Sequence, residues 1–325
     1  MLVRRGCSSA RSATERVQHV SQSEVSPGPH SLSEASSEDK RRDRWGLPLY
    51  ALATKALYRH ADDVCDDTRS TVTDDAPAVS VIVCSLAPRE QIDCLRILEA
   101  QAFDDYEVIL RDDKGISVAR NAGIEAARSD RLVFLDDDAI PHADYLPAMV
   151  DALEANPIVA GRVIHPGDGV ISRFVGSYDQ GDRRHYVRAV PASFRRGSTG
   201  LTGCNMAFRR EVFETVGGFD EQFLWGHEET DLARRALEAG YRVLYEPDAT
   251  VTHWYATSLR DYWRKMARFG PADLQYDRKW DTPFSERVVE TLLPVRLGPT
   301  PAAAAVATVG NVYRSLAYLR TWLAE

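Results

Sequence analysis

The chain has 325 residues, 44% apolar and 27% charged, with a formal net charge of −8. That length and balance fit a globular protein with one large domain or two small ones, and the negative total disfavours nonspecific nucleic-acid binding. No run of about 18 apolar residues is present, so the sequence contains no candidate spanning helix.

Residues 1–45 are rich in Ser, Arg and Glu and poor in large apolar side chains, which predicts a disordered tail. Arg4, Arg5, Arg11 and Arg16 among serines also suit a transit peptide, but a floppy tail is the reading taken. Residues 46–77 read as a short amphipathic helical arm, "GLPLYALATKALYRH", followed by an acidic linker. From residue 78 a regular rhythm begins. "VSVIVC" (79–84) is a continuous β-branched run, as expected of a buried parallel strand. A helix over 89–101 follows, then strand 106–110, helix 117–129, strand 131–135, helix 144–156 and strand 158–164. Alternation of this kind predicts an α/β domain with a mostly parallel, Rossmann-like sheet and flanking helices over 78–255.

Residues 165–200 are Gly- and Arg-rich without a period, which predicts a functional loop region. "TGCNMAF" (202–208) is strand-like, and a short helix ends at Gly217 and Gly218. Residues 228–240 predict a helix with acids in its first turn, and 241–245 another strand. Residues 256–325 predict a helical C-terminal extension. The five cysteines, Cys7, Cys65, Cys84, Cys94 and Cys204, form no CxxC pair and suit a reducing compartment; Cys84 and Cys204 lie in apolar runs and read as buried thiols.

The chemistry concentrates at strand ends. In "RLVFLDDDAIP" an apolar strand runs into Asp136, Asp137 and Asp138. Two unit charges ~4 Å apart repel by roughly 4 kcal/mol at an effective dielectric near 20, so three adjacent carboxylates ask for a cation. Ligands of open α/β sheets bind beyond the carboxyl ends of the strands. Asp112 and Asp113 after the second strand and Ser85 after the first share that edge. Mg²⁺ typically takes one or two carboxylates plus substrate phosphates, so a metal carrying a diphosphate answers the question. An acidic loop or helix cap is the plainer reading of the triplet alone.

The motif "GISVARNAGIEAARSDRLVFLDDDAIP" resembles the donor-binding half of family 2 glycosyltransferases, and "TGCNMAFRREVFETVGGFDEQFLWGHEETDLARRALEAGYRVLYEPDATVTH" resembles their second half. The resemblance covers roughly 78–255 and implies the GT-A fold and inverting transfer of a sugar from a nucleotide-diphosphate sugar. It implies that Asp136 faces the ribose and that Asp138 contacts a divalent metal, Mg²⁺ or Mn²⁺, with His253 completing the metal site. It places Arg120 and Asn121 of "ARNAG" near the nucleotide, and Asp137 with them. The direct link "RDDKGIS" between the second strand and this motif is shorter than in many relatives, which puts the base pocket, and the choice of nucleotide, in question.

"HEETDLARR" sits where the family shows Glu-Asp. Glu229 is expected to be the base for the acceptor hydroxyl, with Asp231 as the alternative; acids in a first helical turn are also stabilised by the macrodipole alone. Trp225, His227 and Glu228 are assigned to the acceptor side. A sugar-phosphate nucleotidyltransferase would show a Gly-rich loop after the first strand, and "CSLAPRE" has none. An aspartyl-nucleophile phosphohydrolase needs Thr where Ile140 stands. A non-catalytic nucleotide-sugar-binding relative is the third alternative. The segment "SLRDYWRKMARFG" (258–270) combines an aromatic face with Arg260, Arg264 and Arg268. It suggests peripheral attachment at the cytoplasmic face of a membrane and a glycan or lipid-phosphate-linked acceptor.

Overall fold

The computed structural model describes residues 76–167, 169–175, 179–186, 201–293 and 295–324. The expected tail, the helical arm and nearly all of the acidic linker lie outside these residues, as does much of the loop region after 186. The described residues fall in one unit, Thr73–Glu325.

The strands are β1 (Val79–Cys84), β2 (Tyr106–Arg111), β3 (Arg131–Asp136), β4 (Ile140–Pro141), β5 (Ile158–Ile164), β6 (His185–Tyr186), β7 (Asn205–Arg209) and β8 (Val243–Thr252). They form a sheet in the order β2-β1-β3-β7-β5-β8-β4, with β6 paired to β8. β1, β2, β3, β5 and β8 share one direction, and β7 runs against its neighbours β3 and β5. The expected parallel core is therefore present, with one reversed strand in its middle. Val79, Val81, Val83, Leu132, Val133 and Phe134 are fully or almost fully buried because both faces of the sheet are covered.

One face carries α1 (Asp93–Glu99) and α3 (Tyr145–Ala155), with Leu95, Leu98, Leu146, Met149 and Leu153 packed on the sheet. The other carries α2 (Ile116–Ala126), α5 (Arg210–Val216) and α6 (Glu228–Glu238) around Phe134, Phe208, Phe213 and Phe219. The expected first helix is shorter than 89–101. Ile92 is extended (φ −93°, ψ 99°) and separates a 3₁₀ turn from α1.

The largest departure is β8. It is ten residues long and runs from Val243 to Thr252, where the expected strand covered 241–245. Its register against β5 jumps between Gly161↔Glu246 and Arg162↔Thr250. Pro247, which cannot donate to a ladder, sits in that bulge. Buried Asn205 mends the gap: its amide donates to Arg162 O at 2.8 Å and Ala249 O at 3.0 Å, and its carbonyl accepts from Tyr145 OH at 3.0 Å. These bonds fix the direction in which β8 delivers His253.

After the sheet come α4 (Val170–Val175, inside the expected loop), α7 (Leu259–Lys279), a short α8 (Phe284–Arg287) running into a π turn (Val288–Leu292), and α9 (Pro301–Ala324). α7 begins with a cap, Ser258 Oγ accepting from Asp261 N at 3.1 Å. α7 and α9 cross where glycine permits it. A Cβ on Gly270 would meet Arg314 O at 2.5 Å, and one on Gly310 would meet the Tyr262 ring at 2.7 Å. The aromatic face expected to meet lipid is thus turned inward: Tyr262 and Met266 are buried in a cluster with Ala303 and Ala307, while Arg260, Arg264 and Arg268 stay exposed. No described helix is long and apolar enough to cross a membrane.

Candidate active site

The β-sheet register explains why the site forms where it does. Leu135 of β3 pairs with Asn205 of antiparallel β7, so Asp136, the next residue on β3, and Cys204, the residue before β7, become neighbours. Ile164 of β5 pairs with Thr252 of β8, so His165 and His253 both leave the sheet at the same edge. Beyond these ends lies a cavity of about 470 Å³. Asp136, Cys204, His253 and His165 line one side, and Trp225, Gly226, His227, Glu228 and Glu229 line another. The C-terminal helices close it with Tyr262, Met266, Phe269, Ala307, Asn311 and Arg314.

Asp138 projects to solvent, and its carboxylate lies 3.1 Å from His253 Nε2. Burial disfavours the charged imidazole of His253, but Cys204 and Asp138 outweigh it and raise its pKa. Burial likewise opposes ionisation of Asp138, and the bond to His253 holds that carboxyl below its ordinary range. A divalent ion here would replace the shared proton, since an imidazole ligand must be neutral. The donor set suits such an ion: Asp136, Cys204 and His253 each bring a ligand atom within 4.8 Å of the others, and carboxylate with imidazole is compatible with Mn²⁺.

The remaining strand-end residues sit beside this cavity rather than on its wall. Ser85 Oγ donates to Asp137 Oδ2 and accepts from Ala87 N at 3.0 Å, which fixes the turn after β1. Asp112 is exposed. Asp113 is held by Arg111 through two bonds of 2.8 and 3.0 Å, and that guanidinium keeps its carboxyl low.

The "ARNAG" pair departs from expectation. Arg120 is 3% exposed and its guanidinium is already engaged. Nη1 donates to Glu228 Oε1 at 2.6 Å, Nη2 donates to Gly203 O at 3.0 Å, and Asp136 lies 3.5 Å away. Gly203 must be glycine for this approach, since a Cβ there would come within 2.7 Å of Nη2. Arg120 therefore ties the strand-end acid to the helix-start acid while also lining the cavity. Asn121 turns away from the cavity: its amide donates to Phe219 O at 2.9 Å, and its carbonyl accepts from Phe219 N at 2.8 Å, clamping the "GGFDE" turn.

The start of α6 carries the acceptor-side residues. Gly226 and His227 both take left-handed conformations, φ 81° and 69°, and turn the chain sharply into the helix. His227 holds that uncommon geometry because it is buried and its Nε2 lies 2.8 Å from Asp273 Oδ1. Asp273 in turn makes a two-pronged pair with buried Arg314 of α9. Burial opposes ionisation of Asp273, but Arg314 and His227 keep its carboxyl far below the ordinary range. His227 is thus committed to the scaffold, and Glu228 to Arg120. The Trp225 ring lies on the cavity wall, with Arg268 over it at 4.3 Å and Phe269 beside it at 4.6 Å.

Glu229 faces the cavity. Burial, together with the charge of neighbouring Glu228, pushes its carboxyl up to about 8. Glu228 itself is tied to Arg120, which leaves Glu229 as the carboxyl turned to the cavity. Asp231 does not reach the cavity. It is fully buried, with Arg235 Nε at 2.9 Å, Trp280 Nε1 at 3.0 Å and Lys279 Nζ at 2.7 Å. That corrects its role as the alternative base: two residues on from Glu229, about 200° around the helix, Asp231 falls on the packed side of α6.

Cys204 is the buried thiol expected from the sequence, but its place in the site was not, and His165 and the Asp273–Arg314 pair were not singled out. The adjacency of Cys204 to Asp136 needs the antiparallel pairing of β7, and Arg314 is 41 residues from Asp273. A polar residue in an apolar run, as in "TGCNMAF", was the one available signal.

Among known proteins, a pre-mycofactocin glycosyltransferase of Mycobacterium tuberculosis is 32% identical over 175 residues, 52% of this chain and 36% of that protein. A glucosyl-dolichyl phosphate glucuronosyltransferase of Haloferax volcanii is 27% identical over 212 residues, 59% of this chain and 61% of that protein. The chain therefore spans between about a third and three fifths of the length of these relatives. The mannosyltransferase PcManGT from Pyrobaculum calidifontis, solved in complex with GDP-Man and Mn²⁺, superposes with a TM-score of 0.46 at 17% identity, covering 85% of this chain and 81% of that one. The model of the family described as glycosyltransferase-like family 2 matches residues 59–270, about two thirds of the sequence, and the chain belongs to that family.

Proposed function

We propose that the protein transfers a sugar, with inversion, from a nucleotide-diphosphate sugar to an acceptor hydroxyl. The observation that carries this reading is the pairing, across one cavity, of the Asp136–His253 edge with Glu229, whose carboxyl is raised to about 8. A base with a pKa near neutrality is matched to a hydroxyl that turns acidic only as it attacks. Glu229 accepts that proton, and Arg120 holds Glu228 in place beside it. Asp136 orients the donor's ribose, with Ser85, Asp112, Asp113 and Asp137 shaping the adjacent edge. Asp138 and His253 would hold a divalent cation, Mn²⁺ or Mg²⁺, which when bound offsets charge on the departing diphosphate. Trp225 offers a ring face on which an acceptor sugar stacks.

The acceptor this reading favours is lipid-phosphate-linked, presented at a cytoplasmic membrane face. Leu297 lines the cavity and is 91% exposed, and Leu293 and Val295 beside it are exposed too. Such a mouth suits a substrate with an apolar tail. Sedimentation with anionic liposomes at two salt concentrations tests it: protein that stays in the supernatant at low salt removes the membrane part.

The core of the proposal is tested by calorimetric titration of UDP and GDP with Mn²⁺ into the wild type and Asp138→Ala. Metal-supported nucleotide binding is expected in the wild type and lost in the variant. Equal affinity in the two removes Asp138 from the metal site. Hydrolysis or transfer assays over a panel of nucleotide sugars then identify the donor, and absence of any turnover favours a non-catalytic nucleotide-sugar-binding protein.

A further inference from the structure

Three side chains from three strand ends meet at the inner wall of the cavity. Asp136 closes β3, Cys204 precedes β7 and His253 follows β8. The pairing of Leu135 with Asn205 makes the first two neighbours, and the Asn205 amide, bonded to Arg162 O of β5 and Ala249 O of β8, bridges the register break in the strand that leads to the third. One ligand atom from each lies within 4.8 Å of the others. Cys204 is nearly buried but lines the cavity, and its sulfur already interacts with His253 besides making a long bond, 3.7 Å, to Thr202 Oγ1. A thiol is a weak donor, so little holds the sulfur back from a better partner.

We propose that Cys204 supplies a sulfur ligand to the divalent ion assigned above to Asp138 and His253, with Asp136 close enough to add an oxygen, which makes a mixed oxygen, sulfur and nitrogen site. This rests on the metal reading above. When the ion binds, the S–H bond breaks, a sulfur–metal bond forms and the proton leaves to solvent; no oxidant or reductant takes part. Thiolate and imidazole favour Co²⁺, Zn²⁺ and Cd²⁺, whereas Mg²⁺, a hard ion bound by oxygen, gains nothing from sulfur. The site therefore discriminates among metals through one residue: Cys204 sets the affinity for soft ions, while the carboxylates and His253 suffice for Mn²⁺.

The test is optical, on the full chain, with Co²⁺ as probe. Visible d–d bands report the ion, and a near-ultraviolet sulfur-to-cobalt charge-transfer band reports a thiolate ligand. The wild type is expected to show both. Cys204→Ser is expected to keep the visible bands, lose the near-ultraviolet band and bind Cd²⁺ more weakly by about tenfold or more, the scale on which metal-site partners act, with Mn²⁺ affinity little changed. Cys84→Ser, which alters a thiol outside the trio, is expected to change neither band, and Cys204→Ala repeats the measurement should the serine variant not fold. Visible bands in the wild type without the sulfur band overturn the inference alone, as does a sulfur band that survives in Cys204→Ser. No cobalt binding at all overturns both the inference and the metal part of the proposed function.

Discussion

Two walls of the cavity are built by different means. The strand-end wall is made of residues that directly continue β3 and β8 or precede β7. Asp136, Cys204 and His253 stand at those strand ends, with Ser85, Asp137 and Asp138 beside the cavity, and the sheet register sets their neighbours. The opposite wall is made by α6, α7 and α9, and its order depends on a buried chain, His227–Asp273–Arg314. The first wall is as stable as the central sheet. The second depends on an ion pair with no water to replace a lost partner, so a single change there disturbs the turn that presents Glu229.

The sharpest way to break this comparison is Arg314→Ala. It leaves the Asp273 charge buried and uncompensated, and removal of one partner of a buried pair costs about 3–5 kcal/mol. Denaturant melts should show that loss. A cost below about 1 kcal/mol, the level of an exposed ion pair, would mean the helical wall is no more fragile than the sheet edge.

Next in size is Glu229→Gln. Turnover is expected to fall by about 10²-fold or more, as loss of a general base does, with nucleotide binding and melting temperature near wild type. Asp231→Asn should behave oppositely, destabilising the fold because Asp231 anchors Arg235, Lys279 and Trp280. A catalytically dead but stable Asp231→Asn with an active Glu229→Gln would reverse the two assignments.

The pH profile sharpens the same contrast. Burial and Glu228 raise the Glu229 carboxyl to about 8, so the base is protonated, and idle, below that pH. With metal saturating, kcat/KM is expected to rise about tenfold per pH unit toward 8 and then level off. The residual activity of Glu229→Gln should lack that limb, and an unchanged limb would assign it to another group.

The smallest effect is expected at Trp225→Leu. The change removes a stacking face at a site also packed by Arg268 and Phe269. Loss of one aromatic contact is worth about 0.5–1.5 kcal/mol, so KM for the acceptor should rise by roughly tenfold or less while donor affinity stays constant. A fall in donor affinity instead would move Trp225 to the other side of the reaction.

Much of the strand-end wall was legible in the sequence because its signals are local. A β-branched run ending in three carboxylates gives both the strand and the place where a ligand meets it, and "EETDLARRALEAG" gives the start and stop of α6. Arg120 and Asn121 were found as residues of note but not in their roles. Their partners, Glu228 and Phe219, are about a hundred residues away, and no spacing rule connects them. The aromatic residues of α7 were recognised as one helical face, yet periodicity cannot say whether that face meets lipid or another helix. Gly270 and Gly310, matched at a crossing, answered it.

By itself, then, the sequence determined the alternation of strands and helices, the acid-bearing ends of those strands and the acidic first turn of α6, because backbone periodicity and capping act over a few residues. Only the tertiary structure decided which acid faces the cavity, that Arg120 joins Asp136 to Glu228, and that Cys204 lies beside Asp136 and His253. Those outcomes depend on the reversal of β7, the bulge in β8 and the packing of α9 on α7. Each brings together residues far apart along the chain, where pairing and close packing, not local propensity, set the distances.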